Sequence, residues 1–204
     1  MRVKAKDEIL RERILSGADK LFQKYGLAKT TMEDIAREAG KGKSTLYYYF
    51  KSKEEIVDAI IYDESDRLFA AIQSAVAEAP TAKDKMKALI VTRFNRLRNL
   101  TNLYNALVQE VREALAEQCV NEFSIRYRKQ YDLKEAGIIK SILQYGIVTG
   151  EFRIFSEKEL EMMSFIFMSS QRGLELDLII HNKLDEILLR LNFLIEIMLS
   201  GIRK

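Results

Sequence analysis

A chain of 204 residues that holds one proline, Pro80, and nine glycines has few places at which a helix must stop. Apolar residues recur at three- and four-residue spacing along it, and no alternating apolar/polar run of strand length shows β-branched enrichment. The chain therefore reads as all-α, with about nine helices. Its length suits one or two modest domains with a real core. With 48% apolar and 31% charged residues, its class is soluble and globular.

Several function classes receive no support. A single cysteine, Cys119, cannot close an intrachain disulfide and argues against a thiolate zinc site. No metal and no cofactor are expected. The opening Met1-Arg2-Val3-Lys4-Ala5-Lys6-Asp7-Glu8 lacks an apolar signal core, and no run approaches the roughly 18 apolar residues of a membrane span. A cytoplasmic location without a membrane partner is the expectation. The sequence has no nucleophile elbow, phosphate-binding glycine loop, HExxH or paired-cysteine motif. His181, the only histidine, stands beside Asn182 at an expected helix end and reads as a terminal cation or a surface residue. No enzyme is expected.

Helix boundaries follow from caps. The first helix is expected over about 7–25, with Ile14, Ala18, Leu21 and Phe22 on one stripe and Gly26 at its C-cap. Thr31 and Asp34 have capping-box spacing for a short second helix. Met32, Ile35, Ala36 and Ala39 give that helix an apolar face, and Gly40 ends it. A third short helix covers about 43–50, and Ser52 with Glu55 opens a long fourth one to about 79. After Pro80, Thr81 and Asp84 open a stretch that reads as two helices to about residue 116, with a break near Asn99–Asn102. Further helices are expected over about 120–148, from Ser156 to about 181, and from about 184 to 199. Residues 1–52 thus form an N-terminal three-helix domain. The fourth helix, about 53–79, links it to a helical C-terminal domain over 80–204.

The charge distribution singles out the first third. The net charge is +3, and residues 1–62, with 13 basic and 10 acidic residues, carry all of it. Lys41, Lys43, Lys51 and Lys53 crowd into positions 39–53, which contain no acid. Such a patch suits a polyanion. The two short helices over 31–50, joined by a tight turn, fit a helix-turn-helix, whose second helix enters the DNA major groove. At about 100° per residue, Leu46 and Phe50 point to the core. Ser44 and Tyr48 point the opposite way, with Thr45 beside them; Lys43 and Tyr47 flank one side and Tyr49 the other. Ser and Thr hydroxyls can bond base edges, and the Thr methyl can touch a thymine methyl. Tyrosine hydroxyls and lysines at the flanks suit phosphates, as does Thr31 at a helix N-terminus.

Two stretches resemble the tetracycline-repressor (TetR) family of regulators. Gly26-Leu27-Ala28-Lys29-Thr30-Thr31-Met32-Glu33-Asp34-Ile35-Ala36 is similar to the family's turn and second helix. Thr45-Leu46-Tyr47-Tyr48-Tyr49-Phe50-Lys51-Ser52-Lys53-Glu54-Glu55 is similar to its recognition helix and the entry to its fourth helix. The resemblance implies DNA contacts at Thr31, Lys43, Ser44, Thr45, Tyr47, Tyr49 and Lys53, with double-stranded palindromic operator DNA as partner. Lys41 stands where the family usually has a small apolar residue and adds an exposed charge to the DNA-binding set. Gly42 replaces the usual Ser N-cap, and Ser44 takes a position often held by Gly.

For the second domain the resemblance implies a small-molecule effector site and homodimerisation through the last two helices. The final helix is apolar on two sides. Leu184, Ile187, Leu188, Leu191, Ile195 and Met198 lie on one, Leu189, Phe193 and Ile197 on the other. Both sides need cover, from a partner subunit or, for a central helix, from the chain's own bundle. The narrower side, Leu189, Phe193 and Ile197, is the candidate dimer face. Phe94, Tyr104, Phe123, Tyr127, Phe165 and Met168 are candidate walls of an effector site, with Gln171 and Arg172 as its polar or anionic anchor. The alternative for each is ordinary core or surface. The expected function is a sequence-specific DNA-binding regulator, a repressor released by a small molecule. The alternatives are a regulator of the same fold without a ligand switch, and a helical enzyme or carrier that retains a helix-turn-helix.

Overall fold

The computed structural model describes residues 2–103 and 122–203, with side chains over 7–101 and 131–203. Nine helices fall among the described residues: α1 (Arg2–Tyr25), α2 (Met32–Glu38), α3 (Lys43–Tyr49), α4 (Lys53–Glu78), α5 (Ala82–Leu103), α6 (Glu122–Val148), α7 (Glu157–Ile180), α8 (Leu184–Leu188) and α9 (Leu191–Ser200). The fold is all-α. The single extended pairing among the described residues is an isolated antiparallel bridge between Phe152 and Arg203. Among them, no helix is long and apolar enough to cross a membrane.

The chain divides into two compact units. The first takes in the chain up to Ser65 and the end of α5 from Thr101; the second takes in Asp66–Leu100 and the chain from α6 onward. The division thus falls within α4. In the first unit, Ile14, Ala18 and Phe22 of α1 pack with Ile35 and Ala36 of α2, Leu46 of α3, and Ile56 of α4. In the second, Met86, Ile90 and Phe94 of α5, Ile139 and Leu143 of α6, Phe167 of α7, and Ile195 and Leu199 of α9 share one core.

Local chemistry sets the boundaries. The Thr31 hydroxyl accepts from the Asp34 N–H at 3.2 Å, and the Asp34 carboxylate accepts from the Thr31 N–H at 3.2 Å, a complete capping box. Ser156 and Glu159 repeat the motif at α7. At the end of α2, Gly40 has φ +66°. Its N–H donates to Arg37 O, and the Lys41 N–H donates to Ala36 O at 2.8 Å. This Schellman closure favours glycine at the left-handed position. Gly146 is needed for a different reason. A Cβ there would fall inside the Phe152 ring and 2.8 Å from the Ala82 Cβ.

The structure corrects three expectations. Helix α1 starts at Arg2 rather than near Asp7. Helix α5 runs through Asn99–Asn102 to Leu103 without a break; asparagine costs only about 0.7 kcal/mol in a helix, too little by itself to end one. The final helix is two helices. The Arg190 N–H donates to Ile187 O at 2.9 Å, an i→i+3 closure that ends α8. Arg190 then leaves the helical region at φ −116°, ψ 15°.

Candidate nucleic-acid interface and apolar cavity

Helix α3 has one turn of core and one turn of open face. Leu46 is fully buried and Phe50 nearly so, while Tyr48, on the opposite side, is 80% exposed. Ser44 is exposed beside it and Thr45 half-buried. Three polar groups and an aromatic thus stand clear of the core, and the Tyr48 and Tyr49 rings meet edge to face at 5.2 Å.

The flanking candidates differ in how far they are free. The Lys43 ammonium bonds the Glu33 carboxylate. That hydrogen bond raises the Lys43 pKa and lowers the Glu33 pKa. The Lys43 ammonium also lies 5.8 Å from the centre of the Tyr47 ring. The Tyr49 hydroxyl donates to Asp7 at 2.8 Å, which raises the Tyr49 pKa. The Thr31 hydroxyl is held in the capping box, and its hydrogen bond to Asp34 at 2.6 Å lowers that carboxyl's pKa. Lys53 does not face outward. Its ammonium donates to Leu27 O at 2.6 Å and Thr30 O at 3.0 Å, clamping the turn between α1 and α2. Lys41 is exposed, and its side chain has no partner among the described residues. Glu33 is the member of this surface that periodicity and motif did not single out. Its helical position three residues from Ala36 gave no hint of a partner ten residues on.

The second unit contains a cavity of about 380 Å³. Met163, Ile166, Phe167 and Leu174 of α7 and Leu194 and Met198 of α9 form its apolar wall; Ser170, Gln171, Arg153, Gly201 and Ile202 complete it. Of the expected site residues, the anchor candidate Gln171 is among those lining it. Phe94 and Met168 are buried in the core instead, and Phe165 is exposed. Tyr104 lies outside the described residues, as do the side chains of Phe123 and Tyr127. Arg172 is occupied: its guanidinium bonds Asp132, and Glu135 at 3.1 Å. Glu135 also holds Arg93, which bonds Glu175 at 2.9 Å. Burial by itself pushes the Arg93 pKa down, but the Glu175 and Glu135 carboxylates hold it above its ordinary value. Arg172 therefore belongs to a charge network bridging α5, α6 and α7 and is no free anchor for an anion. The cavity's polar wall was not legible locally, because the Arg153 N–H reaches Ile202 O, at 3.0 Å, from far along the chain.

Leu189, Phe193 and Ile197 are all exposed, Phe193 by 67%. Met162, Phe165 and Ile166 of α7 are exposed as well.

Comparisons with known proteins agree with this geometry. Residues 14–60 match the family described as bacterial regulatory proteins, tetR family. The HTH-type transcriptional repressor KstR2 of Rhodococcus jostii strain RHA1 is 28% identical over 150 residues, 74% of this chain and 71% of that protein. The fatty acid metabolism regulator protein of Bacillus subtilis strain 168 is 28% identical over 142 residues, 69% of each. A transcriptional regulator from Cytophaga hutchinsonii has the same fold, with a TM-score of 0.77 at 24% identity over 95% of this chain and 98% of that one. Over residues 14–60 the chain carries the DNA-binding region of the TetR family of bacterial regulatory proteins. It is a helix-turn-helix, DNA-binding transcriptional regulator.

Proposed function

We propose that the protein is a homodimeric cytoplasmic repressor that grips a palindromic operator and is released by a small, mostly apolar molecule. The outward face of α3, with Tyr48 80% exposed opposite the buried Leu46, is the observation that carries the reading. Ser44, Thr45 and Tyr48 read base edges. Lys41, Lys43 and Tyr47 hold phosphates on the flanks, Lys43 after exchanging Glu33 for the DNA backbone. Thr31, Tyr49 and Lys53 serve the interface mainly by fixing the turn, α1 and α3 in place, since their polar groups are already bonded. The exposed apolar residues Leu189, Phe193 and Ile197 take a second copy of the chain. The cavity on α7 and α9 takes the effector, which weakens DNA binding by favouring a spacing of the two reading heads that mismatches the half-sites. The relatives named as a repressor and as a regulator of fatty acid metabolism support the sign of regulation and an apolar effector.

The test is a gel-shift survey of the DNA flanking the gene. A palindrome bound by the dimer, with affinity falling steeply between about 50 and 200 mM salt, is the expected outcome. Absent or salt-insensitive binding overturns the reading.

A further inference from the structure

Positions 39–53 hold four lysines and no acid along the chain, yet the fold brings an acid among them. Glu33, in the first turn of α2, bonds the ammonium of Lys43, the first residue of α3. The pair spans ten residues and ties together the two helices of the reading head. Both partners stay wet: the Lys43 side chain is 58% exposed and that of Glu33 49%. An exposed ion pair is weak and opens readily to a competing charge. Helix α3 gains from it, since Gly42 offers no side-chain cap and the first turn of α3 has no acid of its own. A carboxylate nearby offsets the cation at that helix start. On a surface that meets phosphates, however, the same carboxylate is repelled by them.

We propose that Glu33 is an internal competitor for the phosphate that Lys43 binds. It occupies the ammonium in the free protein, is displaced when DNA arrives, and holds DNA affinity below what the lysines of the reading head would give alone. The proposal rests on the reading of Lys43 as a phosphate contact. Lys41 is exposed with no side-chain partner among the described residues, and Lys53 is committed to the carbonyls of Leu27 and Thr30. Lys43 differs from both, because its charge is held by a group that a phosphate can replace. A ligand shifts an equilibrium by no more than its differential affinity for the two states. A moderated grip on DNA is therefore one that an effector of ordinary affinity can undo.

The probes are the tightest duplex that wild type selects from a random library and a mixed-sequence duplex of the same length. Fluorescence anisotropy at about 100 mM salt should show Glu33→Gln binding both about two- to five-fold tighter than wild type, the worth of one exposed ion pair. The gain should fade as salt rises from about 50 to 200 mM, because screening weakens the pair. Lys43→Met should bind more weakly than wild type, and Glu33→Gln added to it should restore far less than it gains alone. Neither side chain belongs to the core, so the variants fold. Equal tightening by Glu33→Gln in both backgrounds shows plain repulsion of DNA and overturns the proposal. So does unchanged or weaker binding in Glu33→Gln, which makes the carboxylate a support for the start of α3. Lys43→Met that binds as wild type does overturns the reading of Lys43 as a phosphate contact, and the proposal with it.

Discussion

Lys41 and Lys53 carry the same charge and flank the same short helix, yet they do different work. The Lys53 ammonium satisfies two carbonyls of the turn after α1, at 2.6 and 3.0 Å. Lys53→Ala leaves those acceptors short of a charged donor and should cost about 1–3 kcal/mol in urea unfolding. Lys41 is exposed, with no side-chain partner among the described residues. Lys41→Ala should leave stability within about 0.5 kcal/mol and reduce the slope of log affinity against log salt by about 1. The reverse pattern in the two variants shows that the clamp and the phosphate-binding role have been exchanged. Tyr48 stands furthest from the core, so Tyr48→Ala should fold normally and alter operator preference by about 1–3 kcal/mol for each base edge it no longer reads, measured by binding-site selection. Helical periodicity alone separated Leu46 and Phe50 from Ser44 and Tyr48. The commitments of Tyr49 to Asp7 and of Lys43 to Glu33 were beyond its reach, because each partner comes from another helix.

Helix α5 begins at an end that is capped twice. Thr81 accepts from the Asp84 N–H at 3.0 Å. From the turn after α6, the Glu151 carboxylate accepts from the Ala82 N–H at 2.8 Å and the Lys83 N–H at 3.3 Å. Burial pushes the Glu151 pKa up, but those backbone donors and the Thr149 hydroxyl outweigh it and hold the pKa below the ordinary 4.5. A lowered folded-state pKa gives stability that is present above the unfolded value and is lost as pH falls through the folded one. Glu151→Gln should therefore cost about 1 kcal/mol at neutral pH. The difference from wild type should shrink below pH 4.5, followed by chemical unfolding at each pH. A constant difference across that range shows that the charge plays no part. The Thr81–Asp84 half of this cap was legible from four adjacent residues, as were the capping boxes of α2 and α7. The Glu151 half spans 69 residues and was not. The split between α8 and α9 was hidden for a related reason: the apolar pattern continues through Arg190, so periodicity gave no sign of the turn.

For the molecule as a whole, the two apolar sides of the C-terminal segment have separate fates. Leu191 is 8% exposed and part of the second unit's core, whereas Phe193 is 67% exposed. Leu191→Glu buries an unpaired charge and should unfold the unit. Phe193→Glu should stay folded and sediment as a monomer, with operator affinity lost along with the second reading head. A dimeric Phe193→Glu places the seam elsewhere. The two-sided pattern could be read along the sequence, but which side met the core depended on packing against α5 and α6. The cavity of the second unit was the least legible feature, because its wall closes through the bridge between Phe152 and Arg203. That bridge also gives the cavity a clock. The Arg153 amide proton is held by the Ile202 carbonyl at 3.0 Å, so it exchanges with solvent deuterium only when the C-terminal turn lets go. Its exchange rate thus counts the openings of the cavity wall, and an occupant that touches Ile202 and Gly201 slows that one proton before it slows the bundle.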